Sequence, residues 1–522
     1  MKRFFLIFNF FILNFLAFSF SYKINSVTYN ITGKTKESAI RRMVPIDTSR
    51  IFENENEFAA YLRDLNVQMN NTRTFQKVSY DYQTFPSSEN VNAENASDKN
   101  SNALYLADLT WNLIDTKHLV IAPYPKYNSN SGFETKVKFK DTNFLGTMNT
   151  LTSDVTFAMP ENSDDKEMKH LLGDYGMSFG LYFDYNFPFK MGKYDATWIN
   201  NFNITYTIGH SMPEWTLNTG LTFSIPLTKI MSISVFAQQG FTGEKDYKIY
   251  NDEMFFTETA NVSFPIALAY INNWGGIYYS PGMQVTYFWD YNKLNPNNSK
   301  LFSPKLFIFQ ILSTGRVNWE NNFRTGATFF VMQSFDYNIK TKVLAPKLAT
   351  EVQLFKGFKY AGLASRFYYF VGSNTSENIG SRLRGIRDGQ DFKSGNRYGA
   401  GGDACDTESA LVINFDVPIH IFSTHFTKNK FLKKMNFEIQ VAPFIDVALL
   451  KNKATKTTFW LTDGFYAAGL EVIMNLESWK AIQVRGSIGV DVGRFLLKKF
   501  INMDWRAGVS KYEISFGIGL HY

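Results

Sequence analysis

"YEISFGIGLHY", residues 512–522, closes the chain with a two-residue period. Tyr512, Ile514, Phe516, Ile518, Leu520 and Tyr522 fall on one face, and Glu513, Ser515, Gly517, Gly519 and His521 on the other. Successive side chains of a strand point to opposite sides, so this segment reads as a strand with one greasy and one wet face. The pattern recurs upstream. Phe202, Ile204, Tyr206 and Ile208 alternate with Asn203, Thr205 and Thr207, and Leu217, Leu221, Phe223 and Ile225 with Asn218, Gly220, Thr222 and Ser224. Met283, Val285, Tyr287 and Trp289 make another such face, and Met435, Phe437, Ile439 and Val441 stand opposite Asn436, Glu438 and Gln440. From Lys117 onward, alternating segments of roughly ten residues separated by polar loops take the place of amphipathic helices, the pattern of a transmembrane β-barrel. A soluble β-sandwich alternates too. The Gly, Asn, Thr and Glu on the inward set, together with the start of the chain, favour the barrel.

That start, "MKRFFLIFNFFILNFLAFSFS" (residues 1–21), sets Lys2 and Arg3 before an apolar run and small residues Ser19 and Ser21 before Tyr22, as a secretory signal does. An uncleaved anchor is the alternative reading. Cys405 is the only cysteine, which excludes an internal disulfide, a cysteine zinc site and a lipidated cut site near residue 21. Fifty-one Phe and 28 Tyr are far more than a helical protein needs and favour strands. A formal charge of +7 spread over 522 residues is too dilute for nucleic-acid binding. Beyond the leader no apolar run reaches about 18 residues, so an exported chain of this kind enters a bilayer only as a closed barrel.

Residues 22–115 read differently, as a small α+β module. A strand, "YKINSVTYNI", precedes Thr35 as N-cap of a helix carrying Ala39, Ile40, Met43 and Val44, which Pro45 stops. A second helix carries Phe58, Tyr61, Leu62, Leu65 and Met69 in one stripe. Val78, Tyr80 and Tyr82 then alternate, and after a polar loop Tyr105, Ala107, Leu109, Trp111 and Leu113 do the same. The expected division is a leader at 1–21, this module at 22–115 and a barrel at 116–522. Roughly 400 barrel residues at about 25 per strand and connection give about 16 antiparallel strands. Marking segments by eye gives nearer 18. An even number returns the C-terminus to the side of the module.

Two stretches carry a resemblance. "KDTNFLGTMNTL", with Asp141, Asn143, Phe144, Leu145, Gly146 and Thr147, resembles the turn near the start of the barrel in the BamA/TamA superfamily of outer-membrane assembly proteins. "RLRGIRDG", residues 382–389, resembles the tip of that superfamily's in-folded loop: Leu383, Arg384 and Gly385 match, and Ile386 stands where an aromatic is usual. The resemblance implies a charged tip inside the lumen paired with an acid on the next-but-one strand. "APFIDVALL" supplies Phe444 and Asp446 for that strand, with Ala448 in place of the usual Gly. On the intervening strand Asn414 stands four residues before Pro418, where an acid is common, and Asp416 is the alternative. Five strand candidates follow the loop, as in the superfamily, and the N-terminal module resembles a POTRA domain, "NNTRTFQKVSY" fitting the link from second helix to second strand.

The resemblance further implies an outer-membrane protein with its POTRA-like module in the periplasm, working in assembly or insertion of other barrels. A client's terminal strand would add to a lateral seam formed by the first and last strands. Phe516, Gly517, Gly519 and Tyr522 belong to that seam and to a C-terminal barrel signal. The implied partners are unfolded outer-membrane clients, membrane lipids and periplasmic chaperones or assembly lipoproteins, with no cofactor. A two-partner-type secretion translocator is the alternative, and a passive porin a third. No Walker A sequence, dinucleotide fingerprint, Gly-x-Ser-x-Gly elbow or paired zinc histidines occur, so the sequence offers no enzymatic chemistry and no metal site.

Overall fold

The computed structural model describes residues 20–87, 104–128, 132–159, 177–192, 194–208, 213–243, 254–271, 274–290, 301–386, 405–424, 426, 436–453, 455–501 and 512–518. Residues 1–19 of the expected leader (1–21), Arg387 to Gly389, Gly519 and Tyr522 lie outside them, while the leader's last two residues, Phe20 and Ser21, are described and Ser21 begins a strand. The chain divides into two compact units, one running to Lys117 and including Leu145–Met148, the other made of the remaining residues from His118 on.

The first unit follows the order read from the sequence: β1 (Ser21–Thr32), α1 (Glu37–Met43), a short β2 (Ile51–Phe52), α2 (Glu55–Asn71), β3 (Phe75–Pro86) and β4 (Leu104–Asp115). Its sheet has the order β2-β1-β4-β3, with β1 and β4 parallel. The Asn54 side chain accepts from Glu57 N at 2.9 Å and starts α2, whose Phe58, Leu62, Leu65 and Met69 are buried at helical spacing. They pack on Ala107, Leu109, Trp111 and Leu113, the inward set of β4. The first helix starts one residue later than expected. Lys36 holds its N-cap position, while the Thr35 hydroxyl donates to Asp115 Oδ1 at 2.8 Å, since that carboxylate also takes the Lys34 and Thr35 amides. Met43, expected inside, is exposed.

The second unit is a barrel. Its strands are β5 (Leu119–Asn128), β6 (Gly132–Asp141), β7 (Leu151–Met159), β8 (Ser178–Met191), β9 (Tyr194–Thr207) and β10 (Glu214–Pro226). There follow β11 (Ser232–Gly243), β12 (Met254–Ser263), β13 (Ile266–Ile271), β14 (Gly275–Asp290), β15 (Lys305–Glu320), β16 (Phe323–Asn338), β17 (Val343–Gly357) and β18 (Gly362–Gly372). A two-residue pair, β19 (Glu377–Asn378) and β20 (Asp406–Thr407), forms a separate small sheet. The wall resumes with β21 (Ser409–Asp416), β22 (Ile419–Ser423), β23 (Phe437–Leu450), β24 (Phe465–Leu476), β25 (Gln483–Asp491) and β26 (Tyr512–Ile518).

Neighbours in sequence are neighbours in the wall, and the order closes with β26 beside β5. β12 and β13 both pair with β14 and are one strand interrupted at Pro265, and β21 and β22 both pair with β23 and are one strand interrupted at Pro418. Among the described residues, twenty wall segments therefore make eighteen strands, the number marked by eye, where chain length suggested about sixteen. Connections are shorter than assumed: Asn321 and Asn322 alone, with φ of 49° and 62°, turn β15 into β16. Among the described residues the β26–β5 junction is the least extensive of the ring.

Alternation gives the wall two faces. Along β23, Gln440, Ala442, Phe444, Asp446, Ala448 and Leu450 are buried, while Ile445 between them is exposed. Ile121, Val155, Trp198, Met283, Leu354, Leu470 and Ile488 are likewise exposed on other strands. So much uncovered apolar surface on a barrel wall is what a hydrocarbon-facing barrel presents. No helix among the described residues is long and apolar enough to cross a membrane.

Candidate functional site

The described residues between β18 and β21, 373–386 and 405–408, lie against the inner wall. Of these, Ile379, Leu383, Ile386 and Cys405 form one buried cluster with Phe370, Ala410, Val412, Ala448, Phe465 and Ala467 of the wall. Ile386 is 1% exposed, so an aliphatic side chain fills the place where the resemblance has an aromatic. Apolar burial of this kind fixes the backbone on both sides of Arg384.

Arg384 is nearly enclosed, at 5% exposure. Its backbone N donates to Asp446 Oδ2 at 2.8 Å, Nε to the same oxygen at 2.9 Å and Nη2 to Asp446 Oδ1 at 2.6 Å. Nη1 donates to Asp416 and lies 3.7 Å from Glu471 Oε2. Glu471 is in turn bonded by Arg485 Nη2 at 2.7 Å. The guanidinium lies over the Phe444 ring, 3.7 Å from its centroid, and Gly469 leaves room for that ring, because a Cβ there would stand 2.6 Å from Phe444 Cζ. Burial opposes the charge on Arg384, but the bonds to Asp446 and the proximity of Asp416 outweigh it, and the pKa of the guanidinium is raised. A planar fork between two carboxylates fits Arg and not Lys.

The second acid is therefore Asp416. Asn414 shares its inward face, is fully buried, and donates Nδ2 to the Arg382 carbonyl at 2.8 Å. It holds the backbone just before the tip while Asp416 takes the charge. Gly385 has φ 81°, the left-handed region that favours glycine, and a Cβ on it would lie 2.7 Å from the Gly489 carbonyl carbon. Its N–H donates to Glu513 Oε2 at 3.0 Å.

A second polar knot holds the segment's first limb. Glu351 Oε2 accepts from Arg366 Nη2 at 2.8 Å and from Arg382 Nη1 at 3.4 Å, and the Arg382 guanidinium sits 3.4 Å from the Tyr368 ring centroid. The Tyr368 hydroxyl donates to Glu377 Oε2 at 2.6 Å, and Lys347 pairs with the same carboxylate.

The turn after β6 is also built. Asp141 Oδ1 lies 2.6 Å from His118 Nδ1 and accepts from Asn143 N at 2.9 Å, and Phe144 meets Tyr185 edge to face at 5.0 Å. Leu145 has φ 54° and is exposed rather than packed, and Gly146 has φ 73°. In the unit that contains it, Gly146 O accepts from Lys36 N at 2.9 Å, and a Cβ on Gly146 would meet Lys34 O at 2.0 Å.

Of the seam residues, Phe516 is exposed and Gly517 pairs in register with Arg485. The sequence reading did not single out Glu471, Arg485, Gly489, Glu513 or the Glu351 knot. The inward parity of Glu471 and Glu513 was available as a signal, but their depth against the tip depends on strand register. Among the described residues no group of three or more His, Cys, Asp or Glu is placed to hold a metal.

No family model matches this chain, and no curated protein matches it. Among solved structures it is similar to BamA from Haemophilus ducreyi lacking POTRA domains 1–3, with 11% identity, 95% of this chain and 83% of that chain covered, and a TM-score of 0.36. It is similar also to CdiB from Acinetobacter baumannii (9% identity, 95% and 73% covered, TM-score 0.43) and to CdiB from Escherichia coli (8% identity, 95% and 76% covered, TM-score 0.47).

Proposed function

We propose that this chain is an outer-membrane barrel of the BamA/TamA type that assembles or inserts other barrel proteins, with its α+β unit serving as a periplasmic POTRA-like domain. The observation that carries the reading is the in-folded segment whose Arg384 is clamped between Asp416 and Asp446 and whose next residue reaches the last strand. A passive pore has no need of a buried charged tip tied to the strand that closes its ring. The clamp spends desolvation energy on two or more carboxylates and gains a single defined loop position.

Insertion would use the β26–β5 junction. A client's terminal strand adds to an exposed edge by backbone hydrogen bonds, which tolerate many side-chain sequences. The client's own unpaired amides and carbonyls supply the driving force as they are satisfied on closure, so no nucleotide is needed. Gly517 weakens the ladder of β26 and favours exchange there.

Conditional depletion of the protein, with all outer-membrane barrels quantified at matched transcript levels, tests this. Levels of many unrelated barrels are expected to fall together. If they hold while one large exported protein accumulates in the periplasm, the translocator reading replaces it; if neither changes, the porin reading does.

A further inference from the structure

The last strand is held by more than its ladder to β25. Glu513, the second residue of β26, lies opposite Gly489 in the β25–β26 register, and Gly489 is the residue on which the tip of the in-folded segment rests. A Cβ on Gly489 would stand 2.8 Å from the Gly385 Cα, so only two facing glycines allow the tip to come this close. That approach brings the Gly385 N–H to Glu513 Oε2 at 3.0 Å, in a site where Glu513 is 8% exposed. Beyond the other end of β26, the turn before β25 is bonded to the start of β5. Trp479, in the turn between β24 and β25, donates its indole N–H to the Leu119 carbonyl at the start of β5, at 3.0 Å. That turn leads into Gln483 and Val484, and Val484 pairs with Ile518 at the far end of β26.

We infer that Gly385, Gly489 and Glu513 form a latch that couples the in-folded segment to the closing strand: with the tip seated, β26 is locked into the ring, and with the tip withdrawn, it is released. The signal passes through one buried hydrogen bond and one glycine–glycine contact, and both are lost together when Arg384 leaves Asp446, because Arg384 and Gly385 are adjacent. The Trp479 bond keeps the β24–β25 turn joined to β5 while the latched end opens. The latch assigns to the seam of the proposed function a control inside the lumen; its existence does not depend on what the seam accepts.

Hydrogen exchange on the purified full-length protein in lipid nanodiscs, read by mass spectrometry without any client, tests it. Glu513→Ala is expected to speed exchange of the Tyr512–Ile518 amides about tenfold, the size of effect that loss of one buried hydrogen bond gives. Gly489→Ala, which pushes the tip away from the other side, is expected to do the same, while the Phe465–Leu476 amides stay at the wild-type rate in both. Glu513→Gln keeps an acceptor oxygen and is expected to stay near wild type. Unchanged exchange of Tyr512–Ile518 in both Glu513→Ala and Gly489→Ala overturns the latch, as does equal acceleration in β24, which would make Glu513 a general support of the wall. Because no client is present, failure here leaves the assembly reading standing, and failure of an assembly assay leaves the exchange result standing.

Discussion

Arg384→Ala is expected to convert most of the heat-resistant barrel into a heat-sensitive form on gels run without boiling. The residue satisfies Asp446 through three donors, and the two on its side chain are lost in the variant together with a third side-chain donor to Asp416, in a site where Asp446 is fully buried. Removing one member of a buried ion pair leaves the other charged and unsolvated, at a cost of about 3–5 kcal/mol. That is a large part of the roughly 5–15 kcal/mol by which a folded domain is stable. Arg384→Lys retains the charge but not the fork, so its loss should be intermediate. Exchanging the charges, Arg384→Asp with Asp446→Arg, is expected to rescue little. The new carboxylate would face Asp416 and Glu471, which the original arginine also served. Resistance equal to wild type in Arg384→Ala would show that the clamp does not hold the segment.

Trp111→Ala is expected to unfold the N-terminal unit and leave the barrel's heat resistance unchanged. The indole is fully buried, contacts the Tyr80 ring at 5.1 Å, and lies at the centre of the core shared by α2 and β4. Truncating so large a side chain in a packed core costs about 3–5 kcal/mol. In a unit of this size that leaves little margin. Limited proteolysis should then cut within residues 22–115 and spare the barrel. Protease resistance of the N-terminal unit equal to wild type would show that its stability lies elsewhere, and loss of both units together would show that they fold as one.

The contrast between the two units shows what the sequence made legible. Period-two alternation carries the wall, because one face must be apolar and the other wet whatever the details, and Phe444 and Asp446 could be placed on one inward face from parity alone. The stripe Phe58, Leu62, Leu65 and Met69 was equally plain, since a helix on a sheet buries one side. The start of α1 was not, because Thr35 has the chemistry of a cap yet is claimed by Asp115, eighty residues away. The strand total was obscured by two prolines that break single strands in two and by two-residue turns such as Asn321–Asn322 that shorten the connections.

At the site, the resemblance to the BamA/TamA superfamily pointed to the tip and one partner and left open the choice between Asn414 and Asp416. Both sit on the same face, and only the position of the tip along the barrel axis decides that Asp416 meets the guanidinium while Asn414 meets the Arg382 carbonyl. Glu471 and Glu513 were hidden for the same reason. Parity tells which face a residue takes, and register tells how deep it lies.

The measurement that bears most directly on the proposed function is folding of unfolded clients in vesicles containing the purified protein. Several barrel proteins of unrelated sequence, diluted from urea into vesicles with and without it, would be followed by the appearance of heat-resistant forms. Faster folding of every client with wild-type protein, and loss of the acceleration with Arg384→Ala at equal incorporation, is the result expected of an insertion factor. Clients that fold no faster than in protein-free vesicles would contradict it.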